Sequence, residues 1–248
     1  MTQGSEAYVE AVARDGCAVL PGVLSRQEAE EAARDLGAAL LATQEEAPLR
    51  SEAGPVYAAR NVLSVWPETG TIWRRPGLLE VLRGVLGEGF GLVRVLFFDK
   101  PPGQTWALGW HKDLTIAVRD NGIPSRRLTK PTRKAGVPHV EAPLEVLERM
   151  LTARLHLDDA TEENGPLKVI PGSHRTGRKL VLGDVAPRTI LARAGDVLLM
   201  RPMLAHASNR SHPETTQHRR ILHLEFAADA TLPDGYAWRT FRPAATEP

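Results

Sequence analysis

The sequence predicts a mainly β protein, a double-stranded β-helix (a jelly-roll or cupin-like barrel) with helices flanking it on the N-terminal side. Three observations predict this class. From about residue 91 onward, short runs of β-branched and apolar residues alternate with turn residues. The chain contains 19 prolines and 21 glycines, which are many for a helical bundle and suit short strands joined by turns. Helical periodicity is confined to the first third, so strands and helices do not alternate as they would around a parallel sheet.

Composition indicates a single folded domain over residues 1–248, with a helical flank at about 1–90, a barrel at about 91–227 and a C-terminal tail at 228–248. A chain of 248 residues, of which 42% are hydrophobic, buries enough surface to fold without disulfides. The lone cysteine, Cys17, excludes an internal disulfide and a zinc site built from thiolates.

Charge and hydropathy exclude several classes of partner. The chain has 31 basic and 30 acidic residues, and its net charge of +1 gives no general attraction for nucleic acid or anionic lipid. Charges near the N-terminus break any signal-peptide core, and no apolar run is long enough to span a membrane. We therefore expect a cytoplasmic protein that acts on a small molecule and has no nucleic-acid or membrane partner.

The flank contains helix signals around two extended segments. Ser25 and Glu28 have the spacing of a capping box, and alanines and leucines recur behind them at helical period. Pro76 suits a first helical turn, and Gly87 suits the position after a last turn. The predicted elements are a helix over 5–14, a strand over Cys17–Val23, a helix from 26 to about 40, an extended segment over Val56–Val65 and a helix over 76–86.

The barrel region contains short strand patterns separated by turns. The predicted strands are Gly91–Asp99, Gly109–Val118, Leu151–Asp158, Leu167–Ile170, Thr189–Ala192, Asp196–Met200, Leu204–Ser208 and His218–Phe226. Glu162–Leu167 and Arg193–Asp196 contain the glycine turns typical of hairpins. The run Arg126–Lys134 contains five basic residues. We expect it to be a loop that folds over the barrel mouth, where Arg126, Arg127, Lys130, Arg133 and Lys134 could meet an anionic substrate. A solvated surface loop would look the same in the sequence.

A metal site on a β scaffold needs side chains that converge, and residues i and i+2 of a strand share one face. His111 and Asp113 have this spacing, and His206 follows a short apolar strand far downstream. Two imidazoles and one carboxylate form the open-sided site of non-haem Fe(II). His156–Asp158 and His223–Glu225 offer the same spacing, so the spacing leaves three candidate pairs.

Basic residues at the start of the last predicted strand suggest a second component. A 2-oxo diacid that chelates iron leaves its far carboxylate in need of a cation, and an arginine fork suits it. Arg219 and Arg220 begin thirteen residues beyond His206. Ser208 is two residues after His206, so both side chains are expected on the same face of the strand. A solvated arginine pair at a sheet edge would look the same in the sequence.

Four segments resemble, in order, bacterial phytanoyl-CoA dioxygenase-like proteins. They are DKPPGQTWALGWHKDLTIAV, LTARLHLDDATEENGPLKVIPGSHR, GDVLLMRPMLAHASNRS and HRRILHLEFA. The resemblance extends from about residue 10 to 239 and is densest over 91–227. The family implies a double-stranded β-helix that uses Fe(II), 2-oxoglutarate and O2. Lys112 stands where a neutral glutamine is common, and strand alternation predicts that it points away from the metal.

The resemblance also implies roles for particular residues. It assigns the iron to His111, Asp113 and His206, and the far carboxylate of 2-oxoglutarate to Arg219 rather than Arg220. It makes Ser208, Asn61 and Arg60 further cosubstrate contacts. Alternation on the strands suggests Arg154 and His156 as substrate-cavity residues, with Trp110 beside the first ligand.

The predicted function is therefore an Fe(II)- and 2-oxoglutarate-dependent dioxygenase. We expect it to hydroxylate an unactivated C–H bond of a small molecule, with release of succinate and CO2. Two alternatives are left open. One is a cupin-like metalloenzyme that does not use 2-oxoglutarate, and the other is a non-catalytic β scaffold that binds a polyanion through the 126–134 run.

Overall fold

The computed structural model describes residues 3–43, 48–50, 56–103 and 106–245. The helices are α1 (Gln3–Asp15), α2 (Arg26–Ala42), α3 (Val62–Val65), α4 (Pro76–Leu86) and α5 (Leu144–Leu147). The strands are β1 (Cys17–Leu20), β2 (Pro48–Arg50), β3 (Val56–Ala59), β4 (Gly91–Asp99), β5 (Leu108–His111), β6 (Thr115–Ala117), β7 (Thr129–Lys134), β8 (Val137–Glu141), β9 (Met150–His156), β10 (Leu167–Val169), β11 (Arg188–Ile190), β12 (Val197–Met200), β13 (His206–Ser208), β14 (Arg220–Ala227) and β15 (Arg242–Pro243). Short 3-10 turns lie at Pro67–Gly70, Ser173–Thr176 and Pro233–Gly235.

Two antiparallel sheets form the barrel. The larger sheet has eight strands in the order β1-β12-β9-β14-β4-β3-β2, with β15 paired to β4. The smaller sheet has four strands in the order β11-β10-β13-β5. The chain crosses repeatedly from one sheet to the other, so sequence neighbours such as β9 and β10 are not paired. This arrangement confirms the predicted double-stranded β-helix with N-terminal helices.

The helices cover the outer face of the larger sheet. Leu36 and Leu40 of α2 and Leu82 of α4 are buried in one cluster with Leu151 of β9 and Leu222 of β14. Burying one such leucine contributes about 2 kcal/mol. Because side chains alternate along a strand, the intervening residues of β4, β9 and β14 face the smaller sheet. Many of these residues are polar, and they line a cavity between the two sheets.

The capping box that begins α2 is present as predicted. The Glu28 amide donates to the Ser25 hydroxyl at 3.2 Å, and the Ser25 amide donates to the Glu28 carboxylate at 2.7 Å. The helix predicted to follow Pro76 is α4. Among the described residues, no helix is long and apolar enough to cross a membrane.

The predicted strands Cys17–Val23 and Leu204–Ser208 are shortened to β1 and β13, and two further predicted extended segments are interrupted. The Gly109–Val118 segment divides into β5 and β6, because the Asp113 amide leaves the ladder and donates to the Pro202 carbonyl at 2.9 Å. The Val56–Val65 segment is extended only over β3. Asn61 then adopts a left-handed conformation with φ of 58°, and a helical turn follows it. Asparagine tolerates this conformation better than most residues.

The prediction of a loop over Arg126–Lys134 is wrong for its second half. Strands β7 and β8 form a hairpin, which joins β6 in a separate three-stranded sheet. The turn residues Ala135 and Gly136 both have positive φ, as a two-residue turn of the kind that matches strand twist requires. A register shift between Thr129 and Thr132 accommodates Pro131 on this exposed strand.

The two predicted hairpins are also wrong. Glu162–Leu167 joins β9 to β10, and Arg193–Asp196 joins β11 to β12. In each case the two flanking strands belong to different sheets. The glycine turns therefore carry the chain across the barrel.

Candidate functional site

His111 and His206 lie opposite each other where the smaller sheet meets the cavity. The two residues are direct partners in the β5–β13 ladder, and their ring centroids are 4.1 Å apart. Asp113 lies just beyond β5, with its Oδ2 3.5 Å from His206 Nε2 and its Oδ1 3.9 Å from His111 Nε2. One candidate ligand atom from each side chain lies within 4.8 Å of the others.

Backbone carbonyls orient both imidazole rings. His111 Nδ1 lies 2.8 Å from the Gly109 carbonyl, and His206 Nδ1 lies 2.9 Å from the Leu204 carbonyl. A carbonyl only accepts, so each Nδ1 carries the proton and donates it. Each Nε2 then keeps a free lone pair toward Asp113, which is the usual arrangement of a metal-binding histidine.

The ionisation states also suit a cation. Burial lowers the pKa of His206, which keeps that ring neutral near pH 7. Burial works against ionisation of Asp113, but the neighbouring rings of His206, His223 and His111 outweigh it and lower the pKa of the carboxyl. Metal binding needs neutral imidazole and ionised carboxylate. Two imidazoles and one carboxylate that leave positions open fit Fe(II) in non-haem oxygenases.

The carboxylates of the two competing pairs, His156–Asp158 and His223–Glu225, bind arginine side chains. Asp158 accepts hydrogen bonds from the Arg220 amide and the Arg220 Nε, both at 2.8 Å. Glu225 pairs with Arg94, whose Nε donates to Oε2 at 2.8 Å. Within the described residues, the triad of His111, Asp113 and His206 is the only group of three His, Cys, Asp or Glu side chains that converges closely enough to hold a metal.

The triad borders a cavity of about 400 Å³ between the sheets. Arg154 and Arg219 line this cavity, and Lys100 lies behind Ser208; we call these three buried cations the inner cluster. Only 1% of Lys100, 7% of Arg154 and 5% of Arg219 is exposed. Lys100 Nζ donates to Ser208 Oγ at 3.1 Å, and Arg154 donates to His223 Nδ1 at 2.9 Å. Arg219 Nε is buried without a hydrogen-bond partner among the described residues.

Carboxylates do not neutralise the inner cluster. The nearby Asp99 accepts from His218 Nδ1 at 2.9 Å. Burial, and then the charge of Arg154, lowers the pKa of Arg219 to about 9. Burial, and then the charges of Arg219 and Arg154, lowers the pKa of Lys100 to about 7. Buried cations with so little compensation are costly, so this end of the cavity is suited to an anion.

A second group, the outer cluster, consists of Arg60, Arg94 and Lys134. Its members line the same cavity. Glu225 neutralises Arg94, and Arg94 also donates to His139 Nε2 at 2.9 Å. Burial would raise the pKa of Glu225, but Arg94 outweighs it and holds that pKa at about 2.

The structure places the other predicted site residues as follows. Arg154, Arg219 and Ser208 line the cavity near the triad, and Arg60 lines it at the outer cluster. Three others do not line that cavity. Asn61 lines an adjoining cavity, Trp110 lines neither of the two, and His156 is buried with its Nδ1 3.3 Å from the Asp196 carbonyl.

The sequence assigned no role to Trp106, which lines the cavity, or to Lys100, which lies behind Ser208, and it marked Lys134 only as one cation of the basic run. Lys100 directly follows β4 and exchanges backbone hydrogen bonds with Arg219, both at 3.2 Å. Correct pairing of the last strand with β4 would have placed it beside Arg219. Lys112 does point away as predicted, since its Nζ donates to the Ser173 carbonyl at 2.9 Å.

Comparison with known proteins adds an independent finding. The family model described as phytanoyl-CoA dioxygenase (PhyH) matches residues 12–221. Ectoine dioxygenase of Bordetella bronchiseptica is 26% identical over 171 residues, which are 67% of this chain and 48% of that protein. The ectoine dioxygenase of Bordetella parapertussis matches to the same extent. The chain therefore spans about half the length of the curated relatives it matches.

Solved structures share the fold. EctD from S. alaskensis with bound Fe superposes with a TM-score of 0.67 at 22% identity, over 92% of this chain and 76% of that one. SnoN, a non-heme alpha-ketoglutarate-dependent epimerase from nogalamycin biosynthesis, superposes with a TM-score of 0.65 at 20% identity. That match covers 94% of this chain and 87% of SnoN.

Proposed function

The chain belongs to the phytanoyl-CoA dioxygenase family, and from this we propose that it is an Fe(II)- and 2-oxoglutarate-dependent oxygenase that hydroxylates a small molecule. The overall reaction balances as 2-oxoglutarate, O2 and R–H giving succinate, CO2 and R–OH. Iron, when bound, supplies the redox chemistry that couples oxidative decarboxylation of 2-oxoglutarate to oxidation of the substrate.

His111, Asp113 and His206 would hold the iron. Their backbone-anchored rings and ionised carboxylate provide three donors on one side, which leaves the other positions for the cosubstrate and O2. The pKa of Asp113 is lowered, so its carboxylate is charged near pH 7.

The inner cluster would bind the far carboxylate of 2-oxoglutarate. Arg219 has an unpartnered Nε, and a guanidinium can hold a carboxylate with two parallel hydrogen bonds. Lys100 contributes a second positive charge and holds the Ser208 hydroxyl in place. Since water is largely excluded from these side chains, each charged hydrogen bond to the cosubstrate is stronger than on the surface.

One observation favours this function over its alternatives. The metal-ligand triad and two buried cations of the inner cluster, Arg154 and Arg219, line the same cavity. A cupin-like enzyme without 2-oxoglutarate would leave Arg219 Nε buried without a hydrogen-bond partner among the described residues. In a polyanion-binding scaffold, the basic run would be free, whereas Arg127 pairs with Glu145 and Lys130 pairs with Glu141.

The test is reconstitution with Fe(II) and 2-oxoglutarate under anaerobic conditions, followed by exposure to O2 and measurement of succinate across a panel of metabolites. We expect succinate release that requires both Fe(II) and 2-oxoglutarate, and that a substrate accelerates. The product of that substrate should gain one oxygen atom. Iron binding without 2-oxoglutarate binding would favour the cupin-like alternative and contradict our proposal.

A further inference from the structure

The outer cluster lies where the metal cavity meets a second cavity of about 330 Å³. Arg60 and Arg94 line both cavities. Arg239 and Arg242 also line the second cavity, and no carboxylate is among the described residues that line it. Cationic side chains without matching carboxylates therefore extend from beside the metal ligands into this cavity.

The charges of the outer cluster are only partly balanced. Arg94 pairs with Glu225, and that carboxylate also contacts His223 Nε2 at 3.3 Å. Arg60 has no hydrogen bond or ion pair with any described side chain, and Lys134 Nζ donates only to the neutral Thr115 hydroxyl at 3.1 Å. The other acid close to Lys134 is Asp113, which belongs to the triad. Two positive charges are therefore left for a ligand.

The 2-oxoglutarate site lies at the other end of the cavity. Arg219 directly precedes β14 and Glu225 lies six residues further along it, a backbone separation of about 20 Å. Arg94 pairs with Glu225, and Lys100 pairs with Arg219, so β4 and β14 keep Arg94 apart from Lys100 and Arg219, while Arg154 lies between them and donates to His223. The triad lies between them, since Asp113 is an electrostatic neighbour of both Arg154 and Lys134. One short diacid cannot occupy both clusters.

We propose that Arg60 and Lys134 bind an anionic group, a carboxylate or a phosphate, of the substrate of this enzyme. This inference rests on the proposed oxygenase function, for which it names the substrate class. The second cavity is also lined by Leu63, Leu96 and Val137, so the anionic group belongs to a molecule with an apolar body. Leu96 lines both cavities, so a body that contacts it would reach from the second cavity toward the metal-ligand triad.

The fold holds these two cations in place before a ligand arrives. Lys134 is the last residue of β7, and the β7–β8 turn follows it. Asn61 Nδ2 donates to the Ala135 carbonyl in that turn at 3.4 Å, which joins the segment carrying Arg60 to the hairpin. Like charges of Arg94 and Arg60 also act on Lys134, so an anion would relieve repulsion as well as gain attraction.

The rest of the basic run provides matched controls. Arg127 pairs with Glu145 and lies near Asp234, and Lys130 Nζ donates to Glu141 at 2.8 Å. Lys130 and Lys134 are therefore lysines of the same strand, one neutralised outside the cavity and one unneutralised within it.

The test uses benzoate and its neutral isostere benzamide as probes. Each is titrated by calorimetry, at low ionic strength and under anaerobic conditions, into Fe(II)-loaded protein saturated with 2-oxoglutarate. We expect benzoate to bind at least about tenfold more tightly than benzamide, since one charged contact is worth about 1.4 kcal/mol or more. Arg60→Met and Lys134→Met should each remove most of this preference, whereas Lys130→Met should keep it. Arg60→Lys keeps the positive charge and should retain part of the preference for benzoate.

The same samples separate the two proposals. The 2-oxoglutarate affinity of Lys134→Met should equal that of the unmodified chain. Loss of 2-oxoglutarate binding in every sample, with the benzoate preference intact, would contradict the oxygenase proposal but not the anion site. An absent preference in the unmodified chain, or an equal loss in Lys130→Met, would overturn the anion site.

Discussion

The outer cluster and two residues of the inner cluster, Arg154 and Arg219, line one cavity beside the metal-ligand triad, and the two clusters differ in burial and in charge balance. Lys100, Arg154 and Arg219 are buried and have little carboxylate compensation. In the outer cluster, Arg94 has Glu225 as a partner, while Arg60 and Lys134 are only partly buried.

This difference indicates that the inner cluster is suited to cosubstrate affinity and the outer cluster to substrate selection. A buried unpaired cation is costly without its anion, so the inner cluster is suited to a cosubstrate required in every turnover. Partly exposed cations interact more weakly and are screened by salt, so the outer cluster is suited to choosing among substrates. We therefore expect mutations in the two clusters to affect different kinetic constants.

The largest effect on activity is expected from substitution of the three metal-ligand candidates, because turnover requires the iron they would hold. His111→Ala, Asp113→Ala and His206→Ala should each abolish succinate formation. Each should also weaken Fe(II) binding by more than about 100-fold, since loss of a residue that only hydrogen-bonds to a metal ligand already costs about 10- to 100-fold. His156→Ala removes a buried imidazole of the competing motif and should keep iron. Metal analysis and succinate release measure both. Iron loss in His156→Ala with retention in His111→Ala would contradict the triad.

The next effect belongs to the inner cluster. Arg219→Ala removes a desolvated, charge-assisted contact worth about 2–4 kcal/mol, so the KM for 2-oxoglutarate should rise about 30- to 1000-fold. Arg220→Ala is the matched control, because Arg220 has the opposite strand parity and pairs with Asp158. Steady-state kinetics distinguish the two. Equal increases in KM would mean that the cosubstrate does not reach Arg219 specifically.

A smaller effect is expected from titration of Lys100. Burial, and then Arg219 and Arg154, lowers its pKa to about 7, so the ammonium is charged below pH 7 and becomes neutral above it. Anionic 2-oxoglutarate binds the charged form better, and its KM should therefore rise as pH increases through about 7. Lys100→Met should raise that KM about tenfold at pH 6 and remove the pH dependence. A KM profile that keeps its slope in Lys100→Met would assign the titration to another group.

The smallest effect is expected on the exposed side of the hairpin. Combined Arg126→Gln, Arg127→Gln and Lys130→Gln substitutions should change substrate and 2-oxoglutarate KM by less than about twofold. Arg126 is exposed, and the other two cations pair with acids outside the cavity, where ion pairs contribute little. A large rise in substrate KM at low salt would show that this face meets the substrate.

The sequence predicted the fold class and the residues of the triad, because strand patterns and the family resemblance both depend on local segments. It did not predict the hairpin at Thr129–Lys134, whose strand is polar, exposed and interrupted by Pro131. The sequence marked Lys134 only as one of five cations, and its position inside the cavity follows from the register of that hairpin. Lys100 was missed for a related reason, since only the pairing of β4 with β14 brings it to Arg219.

The separation of the two clusters is tested most directly by calorimetric titration of 2-oxoglutarate into anaerobic, Fe(II)-loaded protein. Three forms are compared, namely the unmodified chain, Arg219→Gln and Lys134→Met. We predict that Arg219→Gln lowers the affinity about 30- to 1000-fold, while Lys134→Met stays within about twofold of the unmodified chain. An unchanged affinity in Arg219→Gln, or an equal loss in Lys134→Met, would contradict the assignment of 2-oxoglutarate to the inner cluster.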